Sequence, residues 1–324
     1  MGKMVRSVLV GAVMLVLASF TFGWDDVGHR TMAYIAWQQM TPAARESVIN
    51  ILRSAAEDSD ISAYYLRGPE PEETENLEYF MLMATWADIV RERSLENRNK
   101  KYHHSNWHYS DTFWKQVNGM VEILPNPGEG GLAIDRLIDF DKVLRNSAAS
   151  DKDKAIAIVW VEHLIGDIHQ PLHTSARVTD REPKGDQGGN LFLLTPEGTP
   201  REKQSNLHWY WDSIVGQTMP LKGDECDREY ISNVGRKIMK KYPAKALASA
   251  IKIGEFDEWR KESFALNSTD VFSPDLVRFQ MPSEKYKKHA FQVAERQLAL
   301  AGYRLAATFN QIFTTAPVAA KPAQ

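Results

Sequence analysis

Two histidine–aspartate pairs with identical spacing are the feature of this sequence that most restricts its fold. His163 precedes Asp167 by four residues, and His208 precedes Asp212 by four. On an α-helix this spacing places both side chains on one face, one turn apart. Both pairs stand among apolar residues such as Leu164, where a charge without a strong partner is costly to bury. The pattern therefore predicts two helices whose polar pairs face inward.

A bound metal is the partner that these two pairs favour. Imidazole and carboxylate are ligands that zinc accepts at neutral pH. One pair alone is more often an ion pair on a helix surface or a capped core histidine, but two pairs in apolar surroundings favour a metal. Pro171 ends the first helix, and His173 follows where the chain can turn back. His173 is therefore a further candidate ligand.

Helical periodicity dominates the rest of the chain and predicts an all-α, mainly helical fold. The predicted helices cover residues 27–40, 42–54, 132–144, 154–169, 206–215 and 286–312. Residues 176–201 are rich in Gly, Pro and Asp, and they predict a long loop that carries a small β-hairpin, with one strand at 190–195. We expect one domain over residues 24–313 and a disordered tail over 314–324.

The first 23 residues have the pattern of a signal peptide. Lys3 and Arg6 precede an apolar run over residues 8–22, and Gly23 provides a small residue at the end. We expect cleavage before Trp24, a secreted or periplasmic protein, and no membrane attachment afterwards; an uncleaved anchor is the alternative. Loss of two cations changes the formal charge from −3 to −5, so overall charge does not favour nucleic acid. The single cysteine, Cys226, excludes an intrachain disulfide.

Three upstream segments add polar residues next to tryptophans. They are Trp24-Asp-Asp-Val-Gly-His29, Trp86-Ala-Asp88-Ile-Val-Arg91 and Trp107-His108-Tyr109-Ser-Asp111. Together with the histidine–aspartate pairs and the loop Gly185-Asp-Gln-Gly-Gly-Asn190, they resemble the S1/P1 nuclease family of three-zinc, single-strand nucleases. The resemblance runs in order from Trp24 to at least Asp212, and it implies the mainly helical phospholipase C/P1 nuclease-like fold.

The resemblance implies three Zn²⁺ per chain and a role for each matching residue. One zinc would be held by Asp88, His108, His163 and Asp167, a second by the terminal amine and carbonyl of Trp24 with His29 and Asp167, and a third by His173, His208 and Asp212. Asp88 and Arg91 would be catalytic, whereas Tyr109 would stack on a base and Asp111 would contact it. The family usually has glycine after the terminal tryptophan, and this chain has Asp25.

The function implied is that of a zinc-dependent endonuclease. It would hydrolyse single-stranded DNA and RNA to 5′-phosphate products and would remove the phosphate from 3′-nucleotides, with no stable protein partner. Two alternatives remain open: a zinc-dependent phospholipase C, which shares the fold and the ligand plan, and a secreted zinc-binding protein without activity. Arg91 and Tyr109 favour the nuclease, because neither alternative explains both residues.

Overall fold

The computed structural model describes residues 24–128 and 130–314. Within these residues the chain forms thirteen α-helices and three short strands. The helices are α1 (Asp26–Gln39), α2 (Pro42–Arg53), α3 (Glu72–Met83), α4 (Trp86–Ile89), α5 (Glu96–Tyr102), α6 (Ala133–Arg145), α7 (Asp151–Asp167), α8 (Leu207–Asp212), α9 (Ile214–Thr218), α10 (Asp227–Lys241), α11 (Ala244–Leu247), α12 (Phe256–Leu266) and α13 (Glu284–Thr314). The strands are β1 (Thr112–Val117), β2 (Met120–Ile123) and β3 (Ser175–Arg177).

Side-chain caps fix the starts of several helices. The hydroxyl of Thr41 accepts a hydrogen bond from the backbone N–H of Ala44 at 3.2 Å, and Pro42 occupies the first helical position of α2, as the sequence predicts. Ser150 caps α7 in the same way through the N–H of Asp153 at 3.2 Å. The caps set where each helix begins and therefore which side chains face the interior.

Helix α7 runs through the middle of the fold, and its last thirteen residues are almost all buried. It packs against α2 on one side and α6 on another, while α1 packs against α13, α10 and α3. Helices α1 and α13 approach each other closely at Gly302, where a Cβ atom would lie 2.6 Å from Ile35 Cγ2. The core includes seven fully buried tryptophans, Trp24, Trp37, Trp86, Trp114, Trp160, Trp211 and Trp259.

The mainly helical fold is confirmed, but the predicted position of the hairpin is wrong. Strands β1 and β2 form the antiparallel hairpin, and β3 joins β1 in parallel. The turn between β1 and β2 is Asn118-Gly119, with φ values of 52° and 82°, and Asn-Gly is a strong hairpin sequence because both residues tolerate positive φ. Residues 190–195 form no strand; Leu193 makes only an isolated bridge to Asn206.

Most of the predicted helices are present. Two of them differ from the prediction in where they end or divide, and three longer helices were not predicted. The helix predicted over 206–215 divides at Ser213 into α8 and α9, and the helix predicted to reach 169 ends at Asp167. Helices α3, α10 and α12 were not predicted from the sequence. The predicted signal peptide lies outside the described residues, as does the predicted tail beyond Thr314, the last residue of α13. Among the described residues, no helix combines the length and hydropathy needed to cross a membrane.

Candidate metal centre

Five separate parts of the chain bring the predicted ligand side chains into one region. They come from α1 (His29), α4 (Asp88), the turn before β1 (His108), the end of α7 with the turn after it (His163, Asp167 and His173), and α8 (His208 and Asp212). Three groups place their ligand atoms within 4.8 Å of one another: His29 with Asp88 and His163; His108 with His163 and Asp167; and His173 with His208 and Asp212. Every member is buried except Asp88, which is partly exposed.

Asp167 contacts different histidines through its two carboxylate oxygens. Its Oδ1 lies 3.4 Å from His29 Nε2, and its Oδ2 lies 3.1 Å from His108 Nδ1. His163 Nε2 is 3.3 Å from the same Oδ2. The two carboxylate oxygens of Asp167 therefore face two different, neighbouring groups of imidazole nitrogens. This is the arrangement that a carboxylate between two cations requires.

The third group contains two imidazole nitrogens that face each other. His173 Nε2 and His208 Nε2 are 3.1 Å apart. The Nδ1 of His173 donates to the carbonyl of His108, and the Nδ1 of His208 donates to the carbonyl of Gly188, both at 2.6 Å. A carbonyl can only accept, so in the neutral tautomer each Nε2 presents a lone pair. A cation between two such lone pairs removes their repulsion, and this group therefore fits a metal ion.

The groups around Asp167 also fit metal ions, because several buried polar atoms there have no hydrogen bond. In the described part of the chain these atoms include both ring nitrogens of His29 and Oδ1 of Asp167. His163 donates Nδ1–H to the carbonyl of Ala84 at 2.9 Å, which leaves its Nε2 as a ligand. Fixing of a ligand imidazole through its other nitrogen is usual at metal sites.

Electrostatics give Asp167 and His108 the protonation states that metal ligands need. Burial opposes ionisation of Asp167, but His163, His173 and His108 lower the pKa of its carboxyl well below the ordinary value. Burial and the guanidinium of Arg91 lower the pKa of His108 to about 3. The result at neutral pH is a carboxylate beside a neutral imidazole.

Asp212 differs from Asp167, because burial raises its pKa well above the ordinary value and the charge of Asp25 adds to this effect. The side chain of Gln170 donates to Asp212 Oδ1 at 2.7 Å, and Asp212 Oδ2 lies 3.4 Å from His208 Nε2. Gln170 thereby fixes one oxygen and directs the other toward the third group. Gln170 was not among the site residues predicted from the sequence, although it lies between Asp167 and His173.

Trp24 is fully buried at the entrance to α1. The backbone N–H of Asp25 donates to the carbonyl of Asp212 at 3.0 Å, which ties the start of the described chain to α8. At Gly28 a Cβ atom would lie 2.6 Å from Trp24 Cβ, so glycine leaves the space that Trp24 occupies. The carboxylate of Asp25 caps α1 by accepting from the N–H of Gly28 at 3.0 Å.

The predicted catalytic and substrate residues lie at two sides of the centre. Arg91 pairs with Asp88 at 3.0 Å, and its side chain is 10% exposed. Tyr109 and Asp111 line a cavity of about 710 Å³ whose wall also includes His173 and His208. The cavity therefore opens directly onto the third group, and its volume is in the range of small-molecule sites.

Two further histidines, His169 and His289, lie outside these groups. His169 receives a hydrogen bond from the buried Arg304 at 2.7 Å and donates to the carbonyl of Ile165. His289 pairs with Asp270 on the surface. These contacts give both residues structural roles and leave them out of the candidate metal centre.

The sequence of the chain is similar to those of several known nucleases. Residues 24–314 match the sequence model described as S1/P1 nuclease. The chain is 26% identical to nuclease S1 of Aspergillus oryzae, over 95% of this chain and 98% of the relative, and 24% identical to nuclease P1 of Penicillium citrinum, over 89% and 97%. It is 25% identical to endonuclease 2 of Arabidopsis thaliana, over 96% and 98%. The chain therefore belongs to the S1/P1 nuclease family, which identifies it as a nuclease that acts on nucleic acid.

Proposed function

We propose that the protein is a zinc-dependent endonuclease that hydrolyses single-stranded DNA and RNA to 5′-phosphate products and also removes 3′-phosphates from nucleotides. The observation that carries this proposal is the juxtaposition of three histidine–aspartate groups with a cavity that contains Tyr109. Phosphate chemistry needs concentrated positive charge, and a single-stranded substrate needs a surface for its unpaired bases.

We assign one zinc ion to Asp88, His108, His163 and Asp167, and a second to Trp24, His29 and Asp167. The third zinc is assigned to His173, His208 and Asp212. Zinc bound at these residues would lower the pKa of a water molecule and polarise a phosphoryl oxygen. The chain's own contribution is to hold the ligands in fixed tautomers, as it does for His163 through Ala84 and for His208 through Gly188.

Arg91 and Asp88 act together on the phosphate in this proposal. The guanidinium of Arg91 is held beside Asp88 at 3.0 Å, and its planar fork suits a non-bridging phosphoryl oxygen. Asp88 is in position to accept a proton, and its pKa stays below the ordinary value because His163 and Arg91 outweigh its burial. It is therefore ionised at neutral pH, as a proton acceptor must be.

Tyr109 supplies the preference for unpaired bases. Its ring lines the cavity next to His173, so a base stacked on it would place the adjoining phosphate toward the third group. A base inside a duplex cannot enter such a cavity without leaving its stack, at a cost of a few kcal/mol. The expected mature net charge of −5 gives no overall electrostatic attraction to the phosphates of a duplex that would override this selection.

A panel of substrates tests the proposal against the two alternatives. Protein that starts at Trp24 is incubated with single-stranded DNA, RNA, duplex DNA, 3′-AMP and lecithin, with and without a chelator. We expect chelator-sensitive hydrolysis of the first two and of 3′-AMP, much slower duplex cleavage and no lecithin hydrolysis. Lecithin as the preferred substrate would indicate the phospholipase, and no hydrolysis at all would indicate a binding protein. Asp167→Asn is the inactive control.

We also propose that the protein is secreted or periplasmic after cleavage before Trp24. The buried position of Trp24 at the head of α1 supports this, because that residue would then begin the folded chain. Amino-terminal sequencing of protein recovered from a host that exports it is the test. A sequence that begins at another residue would contradict the proposed cleavage site.

A further inference from the structure

The loop Gly185-Asp-Gln-Gly-Gly-Asn190 packs against the third histidine group. The Nδ1–H of His208 donates to the carbonyl of Gly188 at 2.6 Å. A Cβ atom at Gly188 would lie 2.5 Å from the carbonyl oxygen of Leu172, in the turn that carries His173, and 3.2 Å from His208 Nδ1. The backbone of the loop therefore fills the space between the two segments that supply the facing imidazoles.

Three consecutive residues of this loop have a left-handed backbone. The φ values of Gln187, Gly188 and Gly189 are 54°, 60° and 80°. This conformation is costly for a residue with a side chain, such as Gln187, and it persists only where the surrounding structure holds it. The side chain of Gln187 is itself exposed, so contacts of neighbouring residues must keep the carbonyl of Gly188 directed at His208.

The side chain of Asp186 provides such a contact. Asp186 is buried, with 2% of its surface exposed, and its Oδ1 accepts a hydrogen bond from the N–H of Arg177 at 2.9 Å. Burial raises the pKa of Asp186 to about 6, and the N–H groups of Arg177 and Gly189 oppose this effect because both face the carboxyl. Arg177 lies in β3, which begins directly after the turn that carries His173. One side chain thus joins both ends of the left-handed segment to the strand that follows His173.

We propose that Asp186 is a positioning residue for the third zinc ion. It holds the loop in the conformation that directs the carbonyl of Gly188 at His208, and it thereby fixes the ring of His208 as a ligand. The inference rests on the proposed function, because it assumes that a zinc ion occupies the third group. Asp186 acts through the loop backbone and is not a ligand itself.

The proposal requires a hydrogen-bond acceptor at position 186, because the partner is a backbone N–H. Without the acceptor, the N–H of Arg177 loses its partner and the left-handed segment can relax. The Nδ1–H of His208 then loses its carbonyl, so the ring is free to turn or to change tautomer. In either case Nε2 no longer presents its lone pair at a fixed position. Asparagine at position 186 keeps an acceptor oxygen, whereas leucine has a similar size and no acceptor.

The experiment measures zinc bound per chain at equilibrium over a range of free zinc concentrations set by a chelator. Loss of a partner that orients a metal ligand typically costs about 10–100-fold in metal affinity. We therefore expect Asp186→Leu to release one zinc ion at free zinc about 10–100 times higher than the unmodified protein does, and to keep the other two. Asp186→Asn should restore the affinity of the unmodified protein. A folded Asp186→Leu variant with an unchanged zinc-binding curve would overturn the proposal, as would an Asp186→Asn variant that loses zinc as readily as Asp186→Leu.

A double variant identifies which zinc ion responds. His208→Ala removes a ligand of the third group and should itself lower the zinc content by one ion per chain. If Asp186 acts through His208, addition of Asp186→Leu to this variant should cause no further loss, because the contact that Asp186 supports is already absent. A further loss of zinc in the double variant would show that Asp186 supports the centre by another route, and would overturn the proposal.

The control for a general effect on the loop is Glu182→Met. Glu182 is also buried and holds another part of the loop, where it accepts from the hydroxyl of Thr179 and pairs with Arg278 at 2.8 Å. We expect this variant to lower the melting temperature while leaving the zinc-binding curve unchanged. A loss of the same zinc ion in Glu182→Met would mean that general loosening of the loop is sufficient, and would contradict a specific role for Asp186.

The remaining outcomes separate the inference from the proposed function. If Asp186→Leu does not fold, as judged by circular dichroism, Asp186→Ser replaces it, because a serine hydroxyl is too short to reach the N–H of Arg177. A zinc content that His208→Ala does not lower would refute the third zinc ion of the proposed function and the inference with it. A zinc content that falls in His208→Ala but not in the variants of Asp186 that lack the acceptor would refute the inference alone.

Discussion

His29 reaches the candidate metal centre because the residue that faces it on α7 is a glycine. A Cβ atom at Gly166 would lie 2.7 Å from His29 Nδ1 and 2.8 Å from its Cε1. The ring of His29 is also stacked on that of His163, with 4.0 Å between centroids. The imidazole is thus enclosed between the backbone of α7 and the ring of His163, so it cannot move aside to make space for a larger residue at Gly166.

Replacement of Gly166 by alanine should therefore displace His29. Misplacement of a catalytic group by about 1 Å can cost roughly 100-fold in rate, and we expect at least this loss in kcat/KM together with loss of one zinc ion per chain. Gly216→Ala in α9 is the matched control, because its Cβ would meet only ordinary contacts at 3.7 and 3.8 Å. Full zinc content and activity in Gly166→Ala would show that His29 is not a ligand.

Tyr109 provides a second prediction at the scale of a single residue. Tyr109→Ala should raise the activation free energy for 3′-AMP by about 1–3 kcal/mol, the contribution of one base–aromatic stack. Hydrolysis of ribose 3-phosphate, which has no base, should change little. Tyr109→Phe keeps the ring and should keep activity on both substrates. Equal losses on the two substrates in Tyr109→Ala would assign the ring a packing role.

At the scale of elements, the sequence predicts best where one helix carries several functional residues. The four-residue spacing of His163 and Asp167 requires only that α7 be a helix, and a strong apolar pattern ensures that. The convergence of α1, α4 and α8 on α7 depends on tertiary packing, which spacing within one segment does not encode. The assignments of His29, Asp88 and His108 accordingly rested on the family resemblance.

Physical reasons explain why some features of the fold were not predicted from the sequence or were predicted in the wrong place. A hairpin was predicted within residues 176–201 because this segment is rich in turn residues. In the structure its backbone is held by hydrogen bonds to side chains, such as the one that the N–H of Arg177 donates to Asp186. The Asn-Gly sequence that does form a hairpin turn is Asn118-Gly119, which lies outside this loop. Asp186 could not be singled out from the sequence, because its burial and its hydrogen bond with the N–H of Arg177 come from tertiary packing. Both properties exist only once β3 and the loop have come together.

The start of α1 carries a prediction about the N-terminus. If the amine of Trp24 is a ligand, it must be free, because the nitrogen of a peptide bond has its lone pair delocalised. An α-amine has a pKa of about 7.7–8.0 and can lose its proton to bind a metal. Protein with one extra residue before Trp24 should therefore lose one zinc ion and most of its hydrolytic activity.

The best control is a single preparation tested before and after removal of the extension. A cleavable segment that leaves Trp24 as the first residue allows zinc content and activity to be measured on the same chains. We expect both to rise on cleavage. If the extended protein already holds its full zinc content and is fully active, the backbone of Trp24 is not a ligand.

At the scale of the whole molecule, the candidate metal centre joins helices that are far apart in sequence. Its ligands come from α1, α4, α7, α8 and the turns that hold His108 and His173, and three of them are the carboxylates Asp88, Asp167 and Asp212. Without a cation nearby, the buried Asp212 opposes folding at neutral pH, because burial raises its pKa well above the ordinary value. Zinc bound to the folded chain would offset this cost and stabilise the folded state by mass action.

Removal of metal should therefore lower the melting temperature of the whole protein. A ligand at about 1,000 times its Kd stabilises the folded state by roughly 4 kcal/mol, and for a domain of this size each kcal/mol corresponds to about 2–4 °C in Tm. We expect a decrease of roughly 10 °C when a chelator strips the protein, measured by calorimetry at neutral pH. Added zinc should restore the original Tm, and chelator already saturated with zinc is the control for effects of the chelator itself. Because all four helices share the centre, the apo protein should still unfold in one transition at the lower temperature. An unchanged Tm in protein shown to contain no zinc would mean that packing alone holds these helices together and that the metal serves only chemistry.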